Sequence, residues 1–261
     1  MLSIQSLWQK SYGALLLLLL LLGLNLSLSP SAQAVIPGES LQLVVVTTDS
    51  WESTEGHLQT FSRTEDGLWQ ADSVQSSVIL GRAGLAWGIG LHPLQPGQQK
   101  LEGDGKAPAG LFRLSGSFGA EPTAPGAMPY LPMQKNHYCI DVPNSPLYNH
   151  IIDVTKYPKA MSKGTTEPMR RDLMDKADDS YRLGLFIDHN PGNQPGAGSC
   201  IFMHQQTEGK TTTAGCTALA PTELAHLFQW LKPEARPVYL LLPKKEYLAL
   251  QASWHLPALS P

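Results

Sequence analysis

The stretch Ile201–Leu219, IFMHQQTEGKTTTAGCTAL, is where the reading of the fold begins. His204 ends an apolar run, eleven mostly polar residues follow, and Cys216 then arrives beside Gly215 and other small residues. Three chemistries fit: a base and its nucleophile, a pair of metal ligands, or a hairpin with neither role. Alternation over Ser199–His204 (SCIFMH) predicts a strand with Cys200, Phe202 and His204 on one face. After the loop Gln205–Thr213, Thr217-Ala218-Leu219 leads into a helix. Pro221-Thr222-Glu223-Leu224 opens that helix, Leu224, Leu227, Phe228 and Leu231 form its apolar stripe, and Lys232-Pro233 stops it. Cys216 is therefore expected just upstream of a helix N-terminus, where amides and dipole would lower its thiol pKa.

Geometry weighs against zinc. Two zinc donors lie at most about 4.6 Å apart, twice a Zn–S bond. Cys200 and His204, four positions apart on a strand, are separated by about 13 Å of backbone. No metal is expected. A covalent mechanism needs only that His204 take the Cys216 proton and that amides near Gly215 face a developing oxyanion. A structural hairpin remains open at this point, because buried cysteines and strand-end histidines are common.

Outward from this segment the chain reads as one β-rich domain. Leu41–Thr47 (LQLVVVT) is a buried strand. His57–Arg63 and Leu68–Val74 flank Thr64-Glu65-Asp66-Gly67 and form a hairpin. Ser77–Leu80, Gly110–Ser115, Tyr181–Asp188 and Val238–Leu242 are further strands. The helix after Cys216 is the only one expected. Between about Gly119 and Ser180 the pattern weakens into a long irregular insertion, of the kind that covers or binds.

The chain has 261 residues, 23 Gly, 21 Pro, 16% charged residues and a net charge of -3. Such mild acidity gives no reason to propose nucleic acid or an anionic membrane as partner. At the N-terminus the only charged side chain is Lys10. Eight leucines, Leu15–Leu22, follow, and the segment ends in Ala32-Gln33-Ala34. This is the layout of a secretory signal peptide over residues 1–34, with residues 35–261 as the mature domain. The apolar run is short of the roughly 20 residues a membrane-spanning helix needs, so no stable span is expected after cleavage. The expected destination is the periplasm or cell-wall space.

Three separated motifs, VILGRAG (Val78–Gly84), GDGKAPAGLF (Gly103–Phe112) and IFMH with TAGCTAL (Ile201–Leu219), resemble the catalytic domain of the YkuD-type L,D-transpeptidases, which cross-link peptidoglycan. The resemblance covers most of residues 35–261. It implies a mainly β catalytic domain, with Cys216 as nucleophile, His204 as general base and acid, and Gly215 at the oxyanion hole. The Gln205 carbonyl is available to orient the histidine. The substrates implied are peptidoglycan stem peptides, attacked between a diamino acid and the terminal D-alanine, with no cofactor. The sequence departs from the family at Ala214, in place of a second histidine, and at Ala218, in place of Arg or Asn. A non-catalytic wall-binding module of the same fold, or a cysteine carboxypeptidase or endopeptidase on the same stems, are the alternatives.

Arg170 and Arg171 are candidates for gripping a stem carboxylate, since a guanidinium fork matches that group. His189, in IDHN, is a candidate to line the same cleft. Three cysteines in an exported protein are an odd number, and a nucleophile must be free, which pairs Cys139 with Cys200 in a disulfide.

Overall fold

A computed structural model describes residues 36–161 and 166–259. The leader expected over residues 1–34 lies outside the described residues.

The protein is mainly β, with a barrel-like sheet and two helices. In chain order the long strands are β1 Gln42–Thr48, β2 Glu55–Arg63, β3 Trp69–Ile79, the short β4 Leu85–Trp87, and β5 Ala107–Gly119. Next come four short strands, β6 Tyr130–Pro132, β7 His137–Cys139, β8 Ile151–Asp153 and β9 Glu167–Pro168. Then follow β10 Leu183–Ile187, β11 Phe202–Gln205, β12 Thr217–Leu219, helix α1 Pro221–Trp230, β13 Val238–Pro243 and helix α2 Lys244–Trp254.

The main sheet runs β10-β11-β12-β3-β2-β1-β13-β5, and β10 also pairs with β5, so it closes on itself. β1 and β13 are adjacent and parallel, with Val44 beside Tyr239 and Val46 beside Leu241. Their sequences, QLVVVTT and VYLLLP, are nearly continuous apolar runs because both faces are covered. β3 instead alternates exposed and buried residues along Ser73–Val78, as a strand wetted on one face must. The β2–β3 hairpin turns at Thr64–Gly67: Gly67 adopts φ +78°, and its amide donates to the Thr64 carbonyl at 2.9 Å.

One face of α1 buries Leu224, Leu227 and Phe228 against the core formed by Leu43, Val45, Leu111 and Leu240. Pro221 sits in the first turn, where its missing N–H costs nothing. The second helix was not expected. Only Tyr247 and Trp254 of its residues are buried, so KKEYLALQASW carries too sparse a stripe for periodicity to reveal. Its Lys, Glu, Leu, Ala and Gln content is nonetheless strongly helix-favouring.

The insertion between Gly119 and Ser180 also holds more order than its sequence suggests. β7 pairs on one side with β8 and on the other with β9, making a separate three-stranded sheet. A second apolar cluster joins this insertion to the barrel: Met133, Cys139 and Met169 pack with Phe118, Tyr181, Cys200, Phe202 and Cys216.

Candidate active site

The 201–219 segment is not a hairpin. β11 and β12 pair in parallel, Met203 beside Thr217 and His204 beside Ala218, so residues 206–216 form a crossover rather than a tight turn. Cys216, just before β12, therefore comes level with Phe202, whose amide donates to its Sγ at 3.4 Å. His204 lies two positions further along the neighbouring strand, and both line one cleft of about 590 Å³. That volume lies in the range of sites for small molecules and peptide fragments.

Two local expectations are corrected. Cys200 is not part of the strand, which begins at Phe202; it has a left-handed backbone, φ +57°, and its amide donates to Asn149 Oδ1 at 2.9 Å. It is bonded to Cys139, with Cα atoms 6.0 Å apart. Cys216 is free and lies before a strand instead of a helix; α1 starts only after β12 and Ala220. The helix amides are thus a strand's length away, and the thiol receives no dipole support.

Its surroundings work in the opposite direction. Cys216 is 6% exposed. Burial, with the nearby Glu167 carboxylate, pushes its thiol up to about 12, while the hydrogen bond from the Phe202 amide pulls downward. The thiol points to the Cys200 carbonyl at 3.6 Å. Burial likewise lowers His204 to about 4, so its ring is neutral. Its Nδ1–H donates to the Gln205 carbonyl at 2.8 Å, which leaves Nε2 as the proton acceptor. Iodoacetamide should therefore alkylate Cys216 about 10³-fold more slowly at neutral pH than a free cysteine of pKa ~8.5. The rate should keep rising beyond pH 10; a plateau near pH 8.5 would contradict this thiol environment.

The glycine beside Cys216 is sterically required. Gly215 has φ +155°, and an added Cβ would lie 2.9 Å from the Lys106 carbonyl oxygen. Its amide donates to Thr213 Oγ1 at 3.1 Å, and that hydroxyl donates to the Cys216 carbonyl at 2.6 Å, closing the TTTAGC turn. An oxyanion at this point would have to draw the Gly215 amide away from Thr213. Gly215→Ala is expected to destabilise the fold by roughly 1–3 kcal/mol and to displace Cys216. A thermal melt and thiol reactivity would check it, and an unchanged midpoint would count against the steric argument.

The three separated motifs meet around this turn. Gly81 bridges Thr213, the Arg82 amide donates to the Thr213 carbonyl at 2.9 Å, and Gly81 packs against the Gly105 carbonyl. Asp104 receives the amides of Leu101 and Lys106 and the ammonium of Lys100, shaping the turn that feeds β5.

Of the other predicted residues, Arg171 lines the cleft and Arg170 does not. Arg171 pairs with Asp178 at 2.7 Å and Glu167 at 3.4 Å, and its Cζ lies 5.5 Å from the centre of the Tyr181 ring. Arg170 is occupied by a two-pronged pair with Asp172 and by the Met133 carbonyl. His189 stands apart from the cleft lining: Nδ1 accepts from the Ile89 amide at 3.2 Å, and Nε2 donates to the Ala197 carbonyl at 2.9 Å. Both nitrogens are satisfied and burial lowers it to about 4, which makes it a neutral structural histidine.

Sequence reasoning missed Tyr181 and Glu167. The Tyr181 ring packs edge-on to His204, with centroids 5.2 Å apart, and its hydroxyl donates to Glu167 Oε1 at 2.5 Å. Neither residue sits in a motif with the cysteine, and only the fold of the insertion unites them.

Among the described residues no cluster of three or more His, Cys, Asp or Glu could hold a metal ion, and no helix is long and apolar enough to cross a membrane. No protein-family model, curated protein or solved structure matches this chain.

Proposed function

We propose that the protein is an exported, cysteine-dependent L,D-transpeptidase that cross-links or remodels the cell wall through a thioester to a peptidoglycan stem. The observation that supports this reading is the β11–β12 pairing, which brings a free thiol into one cleft with a histidine two positions along the neighbouring strand, whose tautomer leaves Nε2 as a base. The Cys139–Cys200 bridge agrees with an oxidising compartment. In this reading Cys216 attacks the carbonyl between the diamino acid and the terminal D-alanine as His204 Nε2 takes its proton. The histidine then gives that proton to the departing D-alanine amine. A thiol near 12 and an imidazole near 4 disfavour a preformed ion pair, so proton transfer accompanies attack.

Intact-mass measurement after incubation with a carbapenem, which acylates the family this chain resembles, tests the proposal. Wild-type protein should gain one adduct and Cys216→Ala none. A folded wild type without an adduct would favour the wall-binding alternative. The buried, protonated thiol and the Gly215 amide engaged by Thr213 are the observations on that side.

A further inference from the structure

We infer that Glu167 is a further catalytic residue of this site, one that removes a proton from the incoming amine and so directs the acyl group to an ammonium-bearing acceptor in preference to water. The inference rests on the thioester reading above.

Glu167 comes from outside the barrel, on β9, yet lines the same cleft as Cys216 and His204. Its side chain keeps 23% of its exposure, so it opens onto the cleft. Tyr181 links it to the reacting pair, donating to Oε1 while packing edge-on to His204. Arg171 reaches the same oxygen at 3.4 Å. Glu102 and Asp141 line the cleft as well and extend a carboxylate wall. A buried oxygen of Asp141, Oδ1, has no hydrogen-bond partner. Arg82, Lys100, Arg171 and Lys210 line the same cleft, so its net charge selects no cation, and the preference for an amine comes from the proton that Glu167 takes. Burial lifts Glu167 to about 7 against the opposing pull of Tyr181 and Arg171, with Asp141 and Glu102 adding to the rise. A carboxyl poised there can accept a proton at neutral pH.

The chemistry requires such a group for an amine alone. Near neutrality the acceptor enters as an ammonium and cannot attack until it loses a proton. Glu167 takes that proton, and the freed nitrogen lone pair forms a C–N bond to the thioester carbonyl. His204 removes the second nitrogen proton. The tetrahedral species then collapses, the C–S bond breaks with its electron pair on sulfur, and His204 returns its proton to the Cys216 thiolate. The products are an amide, a free thiol and protonated Glu167, which loses its proton to solvent. Water attack uses His204 only.

A stem tetrapeptide ending in a diamino acid and D-alanine serves as donor and acceptor, with cross-linked dimer and hydrolysed tripeptide quantified together. Glu167→Gln should lower the dimer-to-tripeptide ratio by about 10²-fold, and the wild-type rise of that ratio through about pH 7 should disappear. Glu167→Asp should restore most of it. An unchanged ratio in Glu167→Gln overturns the inference. Loss of Cys216 acylation in both variants also overturns it, since Glu167 would then only position the site. Wild-type protein that acylates but yields only tripeptide sinks the inference and leaves thiol chemistry standing. Wild-type protein that never acylates removes the transpeptidase reading itself.

Discussion

Cys216→Ser and His204→Ala are each expected to lower D-alanine release from a stem tetrapeptide by about 10³-fold or more, with the fold retained. Serine occupies nearly the volume of cysteine, and both Phe202 N–H and the Cys200 carbonyl can bond a hydroxyl. Yet an alcohol beside a neutral imidazole is a weaker nucleophile than a thiol in the same place. His204→Ala removes the acceptor at Nε2 and also strips the Gln205 carbonyl of its donor. The melting midpoint should therefore fall modestly in His204→Ala, by the equivalent of about 1–3 kcal/mol, and barely in Cys216→Ser. Near-wild-type turnover in either variant would remove these residues from the chemistry.

Breaking the Cys139–Cys200 bridge should have the largest effect on stability. The two positions are separated by 61 residues, and chain entropy assigns a loop of this length about 4 kcal/mol. For a domain of this size that corresponds to a melting midpoint lower by roughly 8–16 °C. The Cys139→Ser/Cys200→Ser protein, measured beside the oxidised wild type, provides the comparison. A shift under about 2 °C would contradict the entropic argument. Activity should fall as well, because Cys139 is paired directly with Glu167 across β7 and β9. Cys200, for its part, supplies the carbonyl facing the thiol. The bridge thus fastens the insertion to the floor of the cleft from both sides.

Legibility in the sequence followed periodicity. LQLVVVT, the Asp-Gly turn, the helix after Thr217-Ala218-Leu219 and the final strand carry strong local signals and stand within a residue or two of where those signals put them, whereas the second hairpin strand runs past the expected Val74 to Ile79 and absorbs the strand expected over Ser77–Leu80. Failures arose where tertiary contacts override local pattern. Cys200 satisfies the alternation of a strand, but the bridge and the Asn149 side chain hold it in a left-handed turn. Cys216 stands near a helix in sequence, but β12 intervenes because Thr217–Leu219 is captured between β11 and β3. The parallel register that brings His204 and Cys216 together cannot be deduced from eleven intervening residues. Glu167 and Tyr181 become neighbours only after the insertion has folded.

The pairing of β1 with β13 also fixes an order of events in folding. Residue 44 cannot meet residue 239 until nearly the whole chain is available, and contacts of such sequence separation slow folding. A chain emerging from its N-terminus can form the β2–β3 hairpin early, since 59 and 75 are close along it. The wall, however, stays open between β1 and β5 until Val238–Pro243 arrives between them. A truncation before Pro237 would thus leave two long apolar strands with unpaired edges, and the shortened protein should aggregate rather than persist as a smaller folded domain.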